Sequence, residues 1–239
     1  MQVSTKAIVI SKIRYGEHDL IVKCYTQEFG LRSYMIKGAF RSKKSKLKPA
    51  YFQLLSILQL EADHKDNRQL QYIKEVKIAQ NLHAIHSNVV KGTIVIFLAE
   101  ILSSVLQEEA PNQELFNFID TSILILDQRE LDANFHLIFL VQLTKYLGFY
   151  PDVDNINAPY FDMLEGKFQD HKPEIYSISN ENLTMLKSLL GIKFDRDKKL
   201  RLSVLQKQEF LNMILVYFKL HLSGFKEPKS LAVLNQVFR

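Results

Sequence analysis

The sequence predicts an α+β protein in which a small five-stranded β-barrel is followed by an α-helical domain. Five short runs rich in β-branched residues lie in the first eighty residues, without room for crossover helices, which favours an antiparallel sheet or a small closed barrel. From about residue 88 onwards, apolar residues recur at helical spacing. We therefore expect a β domain at residues 1–80 and a helical domain at residues 81–239.

The five expected strands are separated by glycines and polar residues. Gly16 and Gly30 mark the first two turns, and a polar turn at residues 63–67 precedes the last strand. In the fourth strand, alternate residues are apolar, apart from Ser56. The strands are predicted at Ala7–Ile10, Asp19–Thr26, Leu31–Ile36, Phe52–Leu60 and Leu70–Val76.

The helices are predicted from apolar stripes and from residues that begin or end helices. Asn134 is expected to cap a helix that ends at Gly148, and Gly191 and Gly224 are expected to end two others. Residues 151–173 have Asp, Asn and Pro scattered through them and are expected to form an irregular insertion. The helices are predicted at about residues 88–107, 113–126, 134–147, 181–190, 203–221 and 230–238.

The net charge of +5 is distributed unevenly along the chain. Residues 1–80 hold fifteen Lys and Arg against seven Asp and Glu, a net charge of +8, whereas residues 81–239 have a net charge of −3. No acidic residue lies between Glu28 and Glu61. Such asymmetry favours two domains with different partners, of which the first binds a polyanion.

Several classes of protein are excluded by what the sequence lacks. The eight glycines are never closer than eight residues apart, which excludes the dinucleotide fingerprint and the P-loop. Cys24 is the single cysteine, so the chain can form no intramolecular disulfide and no thiolate cluster for zinc. The longest apolar run, Ile94–Ala99, is far shorter than the roughly 20 residues of a membrane-spanning helix, and no signal-peptide core is present. We expect a cytoplasmic protein that needs no cofactor.

Two groups of residues are weak candidates for chemistry. Cys24 lies in the middle of a predicted strand, where a cysteine is more often a buried, inert hydrophobe than a nucleophile. His83 and His86 have the spacing of two metal ligands on one helical face, but no third ligand of suitable type is adjacent. We therefore expect no catalytic residue and no metal at either place.

An acidic loop provides the best enzymatic alternative. Asp152 and Asp154, with Asp162 and Glu165 nearby, could hold a divalent ion for phosphodiester cleavage. The simpler interpretation is a solvated loop whose carboxylates satisfy turns. A metal-dependent nuclease is thus the alternative function from the class of enzymes.

A basic segment between the third and fourth strands is the strongest candidate for function. It places six cations in twelve residues, where each contact with a phosphate displaces a condensed counterion. Tyr34 and Phe40 lie beside these cations and would permit base stacking, and Arg14 and Lys6 are further candidates. Because no recognition helix rich in Asn, Gln and Arg is present, contacts to backbone and stacked bases are expected. The cations of the segment are Lys37, Arg41, Lys43, Lys44, Lys46 and Lys48.

Seven short stretches of the chain match a known family in their order and spacing. They are Thr5–Ile10, Tyr15–Asp19, Thr26–Gly30, Lys37–Ala39, Leu47–Pro49, Leu147–Pro151 and Lys229–Leu231. With these stretches the sequence resembles the RecO family of bacterial recombination mediators over essentially its whole length. None of the stretches is a catalytic motif, which agrees with a protein that binds DNA and does not cleave it.

The resemblance implies an N-terminal OB-fold joined to an α-helical domain. It also implies binding to single- and double-stranded DNA, annealing of complementary strands, contact with the C-terminal tail of the single-stranded-DNA-binding protein SSB, and action with RecR in loading RecA. Many members of that family hold zinc through four cysteines after the segment that matches Leu147–Pro151. Residues 152–157 contain no cysteine here, so a zinc-free member is expected.

A second surface, for a protein partner, is expected in the helical domain, because its net charge of −3 disfavours DNA. A groove that accepts the acidic, apolar tail of SSB would need cations beside it. The candidates are Lys193, Arg196, Lys198, Lys199 and Arg201. A scaffold whose basic segment binds an acidic protein remains the alternative that involves no nucleic acid.

Overall fold

The computed structural model describes residues 1–41, 47–65, 67–106, 111–191 and 202–238. The chain divides into two compact units. The first unit comprises residues 1–128 and 228–230, and the second comprises residues 129–227 and 231–239. The first therefore contains all the strands of the N-terminal region together with the first helices, and the second contains the remaining helices and a small sheet.

Five strands of the first unit close into a barrel in the order β1-β2-β3-β5-β4. Neighbouring strands are antiparallel except β3 and β5, which pair in parallel. The small closed barrel followed by helices confirms the predicted fold class. The strands are β1 Gln2–Tyr15, β2 Asp19–Thr26, β3 Gly30–Ile36, β4 Ile57–Asp63 and β5 Leu70–Ile78.

Alternate strand residues fill the barrel, because successive side chains of a strand point to opposite faces. On β2, Leu20, Val22 and Cys24 are almost completely buried, whereas Lys23 between them is exposed. The same alternation on β4 was the basis for predicting a strand there. The core is completed by a few residues from outside the strands, among them Phe52.

Strands β1 and β4 have bounds that differ from those predicted. Strand β1 is fourteen residues long because it pairs with β4 through its first half and with β2 through its second half, and a register shift between Val9 and Ser11 accommodates the change. The predicted start of the fourth strand at Phe52 is wrong. Residues Pro49–Tyr51 form a 3₁₀ helix, and Leu55 has a φ of 58°, which interrupts the extended chain before Ile57.

Three helices complete the first unit: α1 Ala84–Ser87, α2 Val89–Val105 and α3 Gln113–Gln128. Side chains of Asn88 and Asn112 accept hydrogen bonds from amides in the first turns of α2 and α3. The Asp127 carboxylate accepts hydrogen bonds from the amides of His83 and Ile85, which fixes the short α1 against α3. Glu100 of α2 accepts hydrogen bonds from both the amide and the hydroxyl of Ser230, at 2.9 and 2.7 Å.

The second unit contains four helices among its described residues, and a three-stranded sheet in the order β7-β6-β8. The irregular insertion expected at residues 151–173 therefore contains two strands, each too short to show a two-residue period in the sequence. The helices are α4 Phe135–Tyr146, α5 Asn180–Leu189, α6 Val204–His221 and α7 Leu231–Val237, and the strands are β6 Tyr160–Asp162, β7 Lys167–Gln169 and β8 Ser177–Ile178.

Aromatic packing orders the small sheet. The rings of Phe161 and Phe168 lie 4.8 Å apart, and the Tyr217 hydroxyl of α6 donates a hydrogen bond of 2.9 Å to the carbonyl of Phe149. Gly166, in the turn between β6 and β7, has a φ of 67°, and a Cβ there would lie 2.9 Å from the Tyr217 hydroxyl. The turn therefore requires glycine for its backbone conformation and for the close approach of α6.

Two helix starts in this unit differ in their chemistry. Helix α4 begins after Asn134 as predicted, but the Asn134 side chain does not cap it, and the Asn134 amide instead donates to the Asp132 carboxylate at 2.8 Å. Helix α6 begins with a capping box, in which the side chains of Ser203 and Gln206 each accept a hydrogen bond from the other's backbone amide.

Among the described residues, no helix combines the length and the apolar character that crossing a membrane requires.

Ser203→Ala should lower the free energy of unfolding by about 1 kcal/mol, because it removes the acceptor for the Gln206 amide. Urea unfolding followed by circular dichroism measures the change. Ser103→Ala, at an exposed position inside α2, is the matched control and should leave stability unchanged or slightly raised. Equal destabilisation by the two substitutions would contradict the role of the cap.

His136 of α4 makes stability depend on pH. It is 2 % exposed, and burial, with a smaller effect of the Lys207 charge, lowers its pKa from 6.5 to about 3. Below pH 6.5 the unfolded chain binds a proton that the folded chain does not. The contribution of His136 to the free energy of unfolding is therefore fully present above pH 6.5 and is lost as the pH falls toward 3.

Lowering the pH from about 6.5 to about 4.5 should therefore reduce the free energy of unfolding by about 2 to 3 kcal/mol through this group. His136→Leu should remove that part of the pH dependence, as measured by urea unfolding at both pH values. His171→Leu, at an exposed position, should retain the wild-type dependence. The interpretation fails if His136→Leu and wild type lose stability in parallel.

Candidate nucleic-acid interface

The turn at residues 37–41 is fixed to the tip of the hairpin between β1 and β2. The Gly38 amide donates to the Asp19 carboxylate at 2.8 Å, and the Phe40 amide donates to the His18 carbonyl at 3.0 Å. Gly38 has a φ of 65°, which glycine adopts without strain. The start of the basic segment is therefore held as part of the barrel, and it faces solvent through Lys37, Phe40 and Arg41.

A first cation–aromatic pair lies at this tip. The Arg14 guanidinium is 5.0 Å from the centre of the Phe40 ring and also donates to the Glu17 carbonyl at 2.6 Å. Phe40 is 43 % exposed and Tyr15 is 56 % exposed, which is unusual for rings of this size. A guanidinium held beside an accessible ring can contact a phosphate while a base stacks on that ring.

A second cation–aromatic group lies at the start of β5. The Tyr72 ring has the Lys37 ammonium 5.3 Å from its centre and the Arg68 guanidinium 5.8 Å from it. Strands β3 and β5 pair in parallel with Met35 opposite Tyr72, which places the beginning of β5 beside the end of β3. Lys37 thus takes part in both the turn and this group, so the two cation–aromatic groups are neighbours.

We name the combined feature the barrel-end surface. Its members are exposed or half-buried and combine four cations with three aromatic rings. They are Arg14, Tyr15, Lys37, Phe40, Arg41, Arg68 and Tyr72. The sequence predicted Arg14, Lys37, Phe40 and Arg41 as DNA contacts and missed Arg68 and Tyr72, which lie about thirty residues further along the chain. The one available signal was an Arg beside the polar turn before the fifth strand, followed closely by an aromatic residue.

Two of the predicted contact residues occupy different environments. Tyr34 is completely buried in the barrel core, where burial raises the pKa of its hydroxyl, so its ring offers no surface for stacking. Lys6 forms an ion pair of 2.7 Å with Asp120 of α3. That charge is therefore balanced within the first unit, and Lys6 is better explained as a contact between barrel and helix than as a phosphate ligand.

The remaining predicted contacts divide into an exposed cation and residues outside the described ranges. Lys48 is exposed immediately before the 3₁₀ helix. Lys43, Lys44 and Lys46 lie outside the described residues. The same holds for the predicted partner-binding cations, which are Lys193, Arg196, Lys198, Lys199 and Arg201.

The residues weighed for catalysis have structural roles where they are described. Cys24 is fully buried, and burial raises the pKa of its thiol, so the nucleophilic thiolate is disfavoured. The carboxylate of Asp152 accepts the Asp154 amide, and that of Asp162 accepts the amides of Leu164 and Glu165. Within the described ranges, no group of three or more His, Cys, Asp or Glu side chains is arranged to hold a metal ion. The nuclease alternative gains no support from this geometry.

Comparison with known proteins covers nearly the whole chain. The family model described as "Recombination protein O N terminal" matches residues 1–82, and the one described as "Recombination protein O C terminal" matches residues 86–231. The chain is similar to proteins named DNA repair protein RecO, with 48% identity in Flavobacterium psychrophilum and 43% in Christiangramia forsetii over the full length of both chains. A relative of the same name from Bacteroides fragilis is 35% identical over 98% of each chain. The chain therefore belongs to the RecO family of DNA repair proteins.

Proposed function

We propose that the protein is a recombination mediator that binds single- and double-stranded DNA through the barrel-end surface and anneals complementary strands. The observation that carries the proposal is the pair of cation–aromatic groups, Arg14 with Phe40 and Tyr72 with Lys37 and Arg68. Phosphates of any sequence can be neutralised by the cations, and unpaired bases can stack on the rings. The surface thus suits single strands best and duplexes through their backbones.

Annealing follows from charge neutralisation. Two single strands repel each other through their phosphates, and cations that contact both strands reduce that repulsion. Lys48 is exposed, and it is proposed to serve the second strand together with the cations that the sequence provides at residues 43, 44 and 46. As base pairs form, the bases would no longer stack on Phe40 and Tyr72, which allows the annealed product to dissociate.

The resemblance to the RecO family supports a place in recombination beyond DNA binding. We propose that the protein acts with RecR to load RecA onto DNA covered by SSB, in the cytoplasm and at the nucleoid. The cations at residues 193–201 remain the proposed contact for the acidic tail of SSB. Membership of the family and the negative net charge of residues 81–239 support this division of labour between DNA and protein partners.

Tyr72→Ala should weaken binding to a labelled single-stranded oligonucleotide by about 1–3 kcal/mol, because it removes the stacking ring and leaves both cations. Binding to a duplex should change less. Fluorescence anisotropy measures both affinities. Tyr72→Phe keeps the ring and is the matched control, with affinity close to that of wild type. A loss of equal size in Tyr72→Phe, or no loss in Tyr72→Ala, would contradict a stacking role.

Replacing Arg14, Lys37, Arg41 and Arg68, the four cations of the barrel-end surface, together by Ala should make binding less sensitive to salt. Each lost phosphate contact reduces the slope of log affinity against log salt by roughly 0.7 for single strands, so four contacts reduce it by roughly 2.8. Anisotropy across a salt series measures the slope, and a complementary-strand fluorescence assay should show slower annealing.

The control replaces four exposed lysines of the second unit, Lys145, Lys167, Lys172 and Lys219, by Ala, which changes the net charge equally. Its slope should remain that of wild type. If both sets reduce the slope alike, binding depends on total charge and the barrel-end surface is not the site. If neither protein binds DNA at low salt, the scaffold alternative replaces the proposal.

A further inference from the structure

Gln71 of β5 is a polar residue at a position where the barrel core would accept an apolar one. It is 1 % exposed and alternates with the buried Ile73, whereas Tyr72 between them is half-buried and Lys74 is exposed. Gln71 pairs with Tyr34 of β3, whose ring lies in the barrel core. The Gln71 side chain therefore points inward. A buried amide is costly unless its polar atoms are hydrogen-bonded, so the groups that it contacts indicate its role.

The Gln71 amide is fully engaged by the backbone of the loop before β5. Its Nε2 donates to the Lys65 carbonyl at 2.8 Å and to the Arg68 carbonyl at 2.7 Å, and its Oε1 accepts a hydrogen bond from the Lys65 amide at 3.0 Å. The Arg68 amide donates to the same Lys65 carbonyl at 3.0 Å. One buried side chain therefore fixes the backbone at both Lys65 and Arg68.

The loop that Gln71 holds belongs to the barrel-end surface. The Arg68 guanidinium lies 5.8 Å from the centre of the Tyr72 ring, and Tyr72 directly follows Gln71. Arg68 is exposed, whereas Gln71 is too buried to contact a ligand itself. Its hydrogen bonds nevertheless determine where the Arg68 backbone lies relative to the Tyr72 ring.

Packing of the core does not by itself require an amide at this position. An apolar side chain of similar length would fill the same space without removing polar atoms from water, but it could not hold the loop. Ordering the backbone of one residue costs more free energy than a single exposed charge contact provides. An Arg68 on an unrestrained loop would therefore gain little from a phosphate, whereas a loop that is already ordered has no such cost on binding.

We propose that Gln71 is a positioning residue for nucleic-acid binding, which orders the loop of Arg68 before the nucleic acid arrives. The inference rests on the proposed function, since it assumes that Arg68 contacts a phosphate. Asp19 has the corresponding place in the other cation–aromatic group, where its carboxylate accepts the Gly38 amide in the turn that includes Phe40. Each group is thus held by one polar side chain that bonds to the backbone of a loop.

A double-mutant cycle between Gln71 and Arg68 tests the proposal. Gln71→Met keeps the length of the side chain and removes its hydrogen bonds. Gln71→Met and Arg68→Ala should each weaken binding to a labelled single-stranded oligonucleotide by roughly two- to fivefold, and each should lower the salt slope by roughly 0.7. The double variant should bind no more weakly than either single variant. Anisotropy across a salt series measures these values, and urea unfolding checks that each variant is folded.

Gln59→Met is the matched control, because it makes the same substitution on β4, where the Gln59 amide donates to the Ser4 hydroxyl at 3.0 Å. It should bind as wild type does. A second measurement uses wild type and is independent of how Gln71→Met folds. Hydrogen exchange of the Lys65 and Arg68 amides should be slow in the free protein, before any DNA is added.

Four results would overturn the proposal. Losses that add in the double variant would show that Gln71 acts independently of Arg68, and an equal loss in Gln59→Met would show that the effect is not specific to the loop. Wild-type affinity in Gln71→Met, with Arg68→Ala impaired, would remove the role of Gln71 and leave the proposed DNA binding intact. Exchange of both amides at the rate of an unstructured chain would show that the loop is not ordered in advance.

The cycle also separates this inference from the proposed function. If Arg68→Ala binds as wild type does, Arg68 is not a contact, and the inference fails together with that part of the barrel-end surface. The effect of Tyr72→Ala on stacking does not depend on Gln71, so it tests the interface separately.

Discussion

The barrel closes through parallel pairing of β3 with β5, and the candidate interface depends on that closure. The pairing is short, from Ser33 to Met35 on β3, yet it joins the end of one strand to the beginning of another that lies more than thirty residues away. Lys37 then reaches Tyr72, and the turn that follows Lys37 is fixed by Asp19 and His18. Without this contact, the two cation–aromatic groups would belong to separate surfaces. Long-range pairing of strands therefore determines which cations and aromatic rings of the first unit lie next to one another.

Much of the architecture could be predicted because it depends on local patterns. Strand β2 has the predicted bounds, since a run of mostly apolar residues lies between turns at Gly16 and Gly30. The apolar stripe of α3, including Phe116, Ile119 and Ile123, is buried as its spacing indicates. These features are encoded within a dozen neighbouring residues, and a single sequence is sufficient to show them.

The features that were missed depend on contacts between distant residues. Tyr34 and Phe40 look alike beside a basic segment, but Tyr34 lies on β3 and fills the barrel, whereas Phe40 lies in the turn that follows β3 and is exposed. Lys6 is neutralised by a carboxylate more than one hundred residues away. The strands of the small sheet have two or three residues each, and Phe161 of β6 packs on the Tyr217 ring of α6, with ring centres 5.8 Å apart. Spacing along the chain contains no signal for any of these contacts.

The exposure of Tyr15 and Tyr72 on the barrel-end surface has a spectroscopic consequence. The chain contains ten tyrosines and no tryptophan, so its intrinsic ultraviolet emission comes from tyrosine alone. Tyr34 and Tyr217 are enclosed in the two cores and shielded from solvent. Nucleic acid that bound at the end of the barrel, as proposed, would change the surroundings of Tyr15 and Tyr72. The protein therefore has a built-in optical probe at its candidate interface, and engagement of that surface can be followed on unlabelled material.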